Sequence, residues 1–160
     1  ARVAAARPLA RLHIIGTLRD GPAKQALAAH GLSNRVTTSS GLTREAIAQL
    51  YRRAHIVACP ARFEGFGFPA AEAMACGAAV AASNGGALPE VVGDAGLIST
   101  AGDATSLAND LARLLDNPEE ARRLGARAAI RAREEFNWSR HALAASRLYA
   151  EALAERSPNA

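Results

Sequence analysis

The sequence predicts an α/β fold, with a Rossmann-like parallel sheet flanked by helices, and three observations favour it. Short apolar runs rich in strand formers alternate along the chain with longer stretches of good helix formers. Glycine or proline follows most of these runs and so separates one element from the next. No internal repeat or low-complexity linker divides the 160 residues, a length that suits one domain.

Five short apolar segments are predicted as strands. Strands that alternate with helices pair in parallel through right-handed crossovers, so these segments are expected to form a parallel sheet. Ligands of such sheets bind at the carboxyl ends of the strands. In chain order the predicted strands are 12–15, 35–38, 55–59, 78–82 and 96–98.

Prolines and capping residues mark the starts of the first helices. Pro22 opens a helix that ends near Gly31. Thr43 can cap the next helix, which runs through Tyr51.

The last third of the chain is predicted to be helical. Asp103 can cap a helix over 104–115. Asn117, which is followed by a proline, begins another helix, and Ser139 is expected to cap the last one.

The segment 64–72, with the sequence EGFGFPAAE, follows the predicted strand 55–59 and begins a helix. Pro69 suits the first helical position, because its φ is already set and its missing N–H is no loss there. Good helix formers continue to residue 76, and Gly77 is the expected residue after the helix end. The unit is therefore a strand, a glycine loop and a helix.

This unit predicts a binding site for a phosphorylated sugar. The first N–H groups of a helix have no backbone partner, and the helix dipole stabilises an anion beside them. Gly65 and Gly67 lack a Cβ, so their backbone can take unusual φ values and come close to a ligand. Glu64 and Glu72 can accept charge-assisted hydrogen bonds from neighbouring sugar hydroxyls.

The segment 64–80, with the sequence EGFGFPAAEAMACGAAV, resembles a motif of a known family. Seven residues separate its two glutamates, Glu64 and Glu72. It is similar to the C-terminal donor-binding domain of GT-B glycosyltransferases of the retaining GT4 type, also called glycosyltransferase group 1. Other segments resemble the same domain in the same order, namely 50–57, 85–98 and 136–138 with Tyr149.

The resemblance implies transfer of a hexose from a nucleotide diphosphate sugar to an acceptor, with retention at the anomeric carbon. Glu64 would be the catalytic residue that orients the donor sugar, and Glu72 would bind the ribose. The family is generally metal-independent, so no metal or other cofactor is expected. The residues implied to line the donor sugar and diphosphate are Gly65, Phe66, Gly67, Phe68 and Pro69.

The family's architecture also implies a second Rossmann-like domain, which would precede residue 1 and supply most of the acceptor site. Residue 1 is alanine, and Met74 is the only methionine. Residues 2–8 resemble the end of a first helix, so the first strand and the phosphate-neutralising Arg and Lys pair are expected upstream. Residues 1–156 are interpreted as the donor-binding domain and 157–160 as a loose tail. Alone, this fragment is expected to bind nucleotide weakly and to transfer no sugar.

Composition agrees with a globular enzyme domain. A hydrophobic content of 49% argues against disorder, and no apolar run approaches the roughly 20 residues of a membrane helix. Cys59 and Cys76 are too far apart for a CxxC site, which favours reduced thiols in a cytoplasmic protein. The four histidines show no metal-ligand spacing.

The net charge of +4 would suit an anionic nucleotide sugar or a membrane surface. Many of the arginines lie far from the glycine loop in sequence and are predicted to form a solvated helix face. Peripheral membrane contact stays a minor alternative, and nucleic-acid binding is disfavoured because aromatics are few. These arginines are Arg122, Arg123, Arg127, Arg131 and Arg133.

Three other functions are weighed. Gly65 to Ala70 formally satisfies the dinucleotide fingerprint GxGxxG/A, but the acid expected at the end of the next strand is absent until Glu90. A nucleotide-sugar epimerase with the GT-B fold and a non-catalytic nucleotide-sugar binding module both stay open.

The site residues also have structural interpretations. Glu72 could merely complement the helix dipole, and Glu64 could be a surface acid. Phe66 and Phe68 could anchor the core, and Phe68 is expected to do so. Arg62 is expected to face solvent.

Overall fold

The structure, a computed structural model, describes residues 1–156. Its five strands agree with the predicted segments to within one residue at each end. The predicted loose tail, 157–160, lies outside the described residues. The strands are β1 (Leu12–Ile15), β2 (Val36–Ser39), β3 (Ile56–Cys59), β4 (Ala79–Ser83) and β5 (Leu97–Ser99).

All strand pairs are parallel, as predicted, but the strands form two sheets. One sheet contains β1 and β2, and the other has the order β3, β4, β5. The register places Leu12 opposite Val36 in the first sheet and Cys59 opposite Ala82 in the second. The parallel α/β class is thus confirmed, and the division into two sheets is a feature that the sequence pattern did not indicate.

Eight α-helices surround these sheets in the described residues. Their bounds follow the predicted starts closely, and two short 3₁₀ turns, Ser33–Arg35 and Gly93–Ala95, precede β2 and β5. The helices are α1 (Arg2–Ala6), α2 (Pro22–Ala29), α3 (Arg44–Arg53), α4 (Phe68–Ala75), α5 (Leu88–Val92), α6 (Ala104–Asp116), α7 (Pro118–Glu135) and α8 (Trp138–Arg156).

Two of the three predicted side-chain caps are present, and Asn117 precedes a helix as predicted. Thr43 accepts a hydrogen bond from the backbone of Ala46 at 3.2 Å. Asp103 caps α6 and Asn117 caps α7 in the same way. The third predicted cap, Ser139, is wrong, because α8 already begins at Trp138 and Ser139 is inside it.

The cap of α8 is Asn137, whose Oδ1 accepts the N–H of Arg140 at 2.8 Å. Asparagine is as good an N-cap as serine, and here it stands directly before the first helical residue.

The core is centred on β4, whose five residues are all buried. Side chains alternate between the two faces of a strand, so Val80 and Ala82 pack with residues of α4, α5 and α7. Ala79 and Ala81 face the other way and pack with Leu114 of α6 and with α7. A strand covered on both faces needs small or apolar residues throughout, which explains its continuous run of alanine and valine.

No helix among the described residues is long and apolar enough to cross a membrane.

Candidate functional site

The predicted site residues come together at the carboxyl edge of the second sheet. The segment 60–67 leaves β3 at this edge and leads directly into α4. The segment 84–87 leaves β4 at the same edge and leads into α5. Because β3 and β4 are parallel neighbours, these two loops, hereafter the EGFG loop and the GGA loop, lie side by side.

Hydrogen bonds join the two loops. The N–H of Ala87 donates to the carbonyl of Glu64 at 2.9 Å. The hydroxyl of Ser83, at the end of β4, donates to the carbonyl of Ala61. Both bonds fix the backbone of the EGFG loop, and neither involves the side chain of Glu64.

Two glycines allow this close approach. A Cβ on Gly85 would lie 2.6 Å from the carbonyl oxygen of Ala61. A Cβ on Gly86 would meet the carbonyl oxygen of Glu64 and would lie 2.8 Å from its nitrogen. Any larger residue at either position would push the loops apart, so the two glycines define where the half-buried Glu64 sits.

The glycines of the EGFG loop differ from each other. Gly67 is buried with φ +99°, and a Cβ there would lie 3.0 Å from Leu88 Cδ2. Gly65 has no left-handed φ, and a Cβ there would meet nothing within 4 Å. The predicted need for glycine is therefore confirmed for Gly67, which turns the chain into α4, whereas Gly65 is exposed and sterically free.

The start of α4 is open to a ligand. Gly67 is the N-cap residue and supplies no side chain, so the first turn has no side-chain cap. Phe68 is the first helical residue and Pro69 the second, one position later than predicted. The N–H of Ala71 donates to the carbonyl of Gly67. The N–H groups of Phe68 and Ala70, which precede it, have no acceptor within the helix.

Two phenylalanines form an aromatic cluster beside this helix start. The ring centroids of Phe66 and Phe68 are 4.8 Å apart. The ring of Phe136 contacts that of Phe66 edge-on, with a centroid distance of 5.7 Å. Phe68 is 65% exposed, so the expectation that it anchors the core is wrong. At the first position of the helix its side chain points away from the core, which the alanines of the next turn cover instead.

Glu72 lies one turn into α4 and is exposed. Its Oε2 accepts a hydrogen bond from the hydroxyl of Tyr51, a buried residue of α3, at 3.4 Å. Burial, and then the charge of Glu72, raise the pKa of Tyr51 to about 12. Tyr51 is thus a neutral donor at physiological pH. Sequence reasoning placed Tyr51 only near the end of a helix, and no local signal relates it to Glu72.

The chain is similar to known proteins in sequence and in structure. Residues 1–131 match the family described as glycosyl transferases group 1. The chain belongs to this family.

Individual relatives and solved structures also resemble the chain. The chain is 44% identical over 138 residues to an MMP alpha-(1->4)-mannosyltransferase of Mycolicibacterium hassiacum, which covers 84% of the chain and 34% of that relative. Sucrose-phosphate synthase from Thermosynechococcus elongatus has a similar structure, with a TM-score of 0.84 at 32% identity over 96% of this chain and 41% of that one. The protein HepE of Anabaena, in complex with UDP, gives a TM-score of 0.77 at 25% identity over 96% and 43%.

These matches confirm that the chain is the C-terminal domain of a GT-B glycosyltransferase, with the predicted α/β fold. The chain spans about a third of the length of the curated relatives it matches.

Membership in the group 1 family also argues against the dinucleotide-enzyme alternative, and the geometry agrees. At the end of β4, where that alternative needs an acid, the chain has Ser83 and Asn84. Ser83 bonds to Ala61, and Asn84 Oδ1 accepts the N–H of Ala101 at 2.7 Å.

Two cavities of this domain are not lined by Glu64 or Glu72. One of about 170 Å³ opens at the ends of β4 and β5, next to Pro60 and Asp103, but neither Glu64 nor Glu72 lines it. Another of about 240 Å³ lies between α1 and the segment 30–35. Neither cavity is lined by a residue of the segment 64–72. We therefore place the candidate site on the open surface formed by the EGFG loop and α4.

Within the described residues, no group of three or more His, Cys, Asp or Glu side chains could hold a metal ion. The expectation of a metal-independent site stays a prediction. Cys59 lies under the site, and burial, followed by the charge of Glu64, raises its pKa to about 11. Cys59 and Cys76 are both free thiols.

The arginines of α7 have structural partners that the sequence did not indicate. Arg131 donates to the carbonyls of Val91 at 3.0 Å and Glu90 at 2.6 Å, at the carboxyl end of α5. Arg127 pairs with Asp94. These side chains are held against α5 and the turn that follows it, so we assign them no role in donor binding. Arg62 is exposed, as predicted.

Proposed function

We propose that this chain is the donor-binding half of a glycosyltransferase. The enzyme transfers a hexose from a nucleotide diphosphate sugar to an acceptor, with retention at the anomeric carbon. One observation carries the proposal: the uncapped start of α4 lies between Glu64 and Glu72 at the carboxyl edge of the sheet.

The diphosphate binds at the start of α4. The N–H groups of Phe68 and Ala70 donate to phosphate oxygens, and the helix dipole adds to the attraction. Breaking the bond to the sugar places negative charge on the leaving diphosphate. Fixed donors aimed at that charge stabilise the transition state more than the ground state.

The two glutamates hold the two sugars of the donor. Glu64 is fixed by the GGA loop and orients the transferred hexose, together with the exposed backbone of Gly65 and the ring of Phe66. Glu72 accepts hydrogen bonds from the ribose hydroxyls. Phe68 and Pro69, both exposed at the first turn of α4, border the diphosphate.

The division of the sheet supports a further strand from a preceding segment. In the doubly wound order 3-2-1-4-5-6, the first strand separates the second strand from the fourth. If β1 is the second strand of that order, the chain divides where a first strand would stand, since β1 pairs only with β2 among the described strands. We propose that a preceding segment supplies this strand and that a preceding domain supplies the acceptor site.

The names of the relatives agree with a sugar nucleotide as donor, because the Anabaena protein HepE is described in complex with UDP. The proposed reaction uses no metal or other cofactor. A cytoplasmic location is proposed as well, and the two free thiols, Cys59 and Cys76, agree with it. Nucleotide, sugar and acceptor are left open.

Calorimetric titration of the 160-residue chain with UDP, GDP and ADP and with their sugars tests the proposal. Glu72→Gln keeps the shape of the side chain and removes its charge. We expect it to weaken the preferred nucleotide about tenfold, the effect of losing one charge-assisted hydrogen bond.

Glu119→Gln is the matched control, because Glu119 is exposed at the start of α7 and away from the site. It should leave nucleotide affinity unchanged. Equal affinity of the Glu72→Gln and unsubstituted chains for every nucleotide would remove Glu72 from the ribose role.

A further inference from the structure

Tyr51 connects the core to the candidate site. It is the buried residue of α3, and its ring belongs to the core cluster that includes Cys59 and Met74. Its hydroxyl extends to Glu72 Oε2, which is its hydrogen-bond acceptor among the described residues. One end of this side chain is therefore fixed by packing and the other meets an exposed carboxylate.

The two partners differ in freedom. A packed tyrosine ring has little choice of rotamer, whereas an exposed glutamate samples many, and ordering it on a ligand costs conformational entropy. The hydroxyl of Tyr51 keeps its proton far above neutral pH, because burial and the nearby carboxylate raise its pKa to about 12. It can therefore act as a permanent donor that selects among the orientations of Glu72.

We propose that Tyr51 is a positioning residue for the nucleotide ribose, acting through Glu72. Its hydroxyl holds Oε2, so that Oε1 and the remaining lone pair of Oε2 accept from the two ribose hydroxyls. A carboxylate has about four acceptor positions, which is enough for all three donors. The 3.4 Å distance is long, and hydrogen bonds of this kind tighten when the ligand binds. The inference rests on the ribose role proposed for Glu72.

A double-mutant cycle tests the coupling. The variants are Tyr51→Phe, Glu72→Gln and the double substitution in the 160-residue chain. Each is titrated calorimetrically with UDP, GDP and ADP, and the nucleotide that binds most tightly is compared with its 2′,3′-dideoxy analogue. Tyr51→Phe keeps the ring and removes only the hydroxyl.

We expect Tyr51→Phe to weaken the ribonucleotide about three- to tenfold, the range for one ordinary hydrogen bond, because the hydroxyl acts on the ribose only through the carboxylate. It should leave the affinity for the dideoxy analogue unchanged. The double variant should bind the ribonucleotide no more weakly than Glu72→Gln alone, because the hydroxyl acts only through the carboxylate.

The chain contains a matched control, since its other tyrosine, Tyr149, is 72% exposed on α8. Tyr149→Phe should change neither affinity. Thermal unfolding of each variant accompanies the titrations.

Several results would overturn the inference. Equal weakening of the ribonucleotide and the dideoxy analogue by Tyr51→Phe would mean a general structural effect. No weakening by Tyr51→Phe, with a clear loss for Glu72→Gln, would remove Tyr51 and leave the proposed function intact. No loss for Glu72→Gln, or no nucleotide binding by the unsubstituted chain, would overturn the donor-site assignment and this inference with it.

Discussion

At Gly86 the missing Cβ allows the GGA loop to approach the backbone of Glu64. The backbone of the GGA loop touches that of Glu64 there, and the N–H of Ala87 completes the contact. Gly86 also has a positive φ of 64°, which disfavours other residues independently of the contact. The contact with Glu64 and the positive φ thus both disfavour a larger residue at Gly86. A second glycine with a positive φ but no such contact separates the two effects.

Gly86→Ala should lower the free energy of unfolding by more than about 2 kcal/mol, because backbone strain and a clash with Glu64 add. Gly31→Ala is the control, since Gly31 has φ +62° and open space around its Cβ position. It should cost only about 1 kcal/mol. Denaturant unfolding of both variants checks the difference, and equal losses would show that the loop contact has no energetic weight.

Among the elements, helix starts divide into closed and open ones. The starts of α3, α6, α7 and α8 are closed by Thr43, Asp103, Asn117 and Asn137. The starts of α1, α2, α4 and α5 have no side-chain cap, and of these four helices α4 begins between the two glutamates. The closed starts stabilise their helices, while the start of α4 has N–H groups that the proposed function assigns to a phosphate.

The correction at α8 gives a test at this scale. Asn137→Ala should fray the first turn of α8, with a local cost of about 1 kcal/mol, because it removes the acceptor for Arg140 N–H. Ser139→Ala should have almost no effect, since Ser139 is inside the helix. Amide hydrogen exchange at the start of α8 measures both. Greater fraying by Ser139→Ala than by Asn137→Ala would restore the original assignment.

At the scale of the whole molecule, the proposed donor site is open to solvent in the part of the chain that the structure describes. The EGFG loop and α4 lie on an open surface, and the larger cavity lies elsewhere, between α1 and the segment 30–35. Closing an active site over the donor excludes water from the reacting centre. The proposed transferase would therefore use a second surface opposite α4.

We accordingly expect the 160-residue chain to bind nucleotide weakly and to transfer no sugar. Incubation with labelled UDP-, GDP- and ADP-sugars and a mixture of acceptors, followed by product separation, measures this. Sugar transfer by the chain alone would contradict the division of labour between a donor half and an acceptor half.

Much of the fold was predictable because its signals are local. The five strands and most helix starts follow from apolar runs, prolines and capping side chains, each acting over a few residues. The Phe68 prediction failed because the direction of a side chain depends on where the helix begins, and α4 begins one residue before Pro69. The division into two sheets was also not predictable, because strand order depends on contacts between distant segments.

The sequence by itself determined the α/β class, the strand, glycine loop and helix unit, and the family to which EGFGFPAAE belongs. Those are properties of short segments, since propensity, capping and motif spacing are read over a few residues at a time. Only the tertiary structure decided that Gly85 and Gly86 hold Glu64 and that Tyr51 reaches Glu72. These contacts join residues 21 or more apart in the chain, and packing alone brings such residues together.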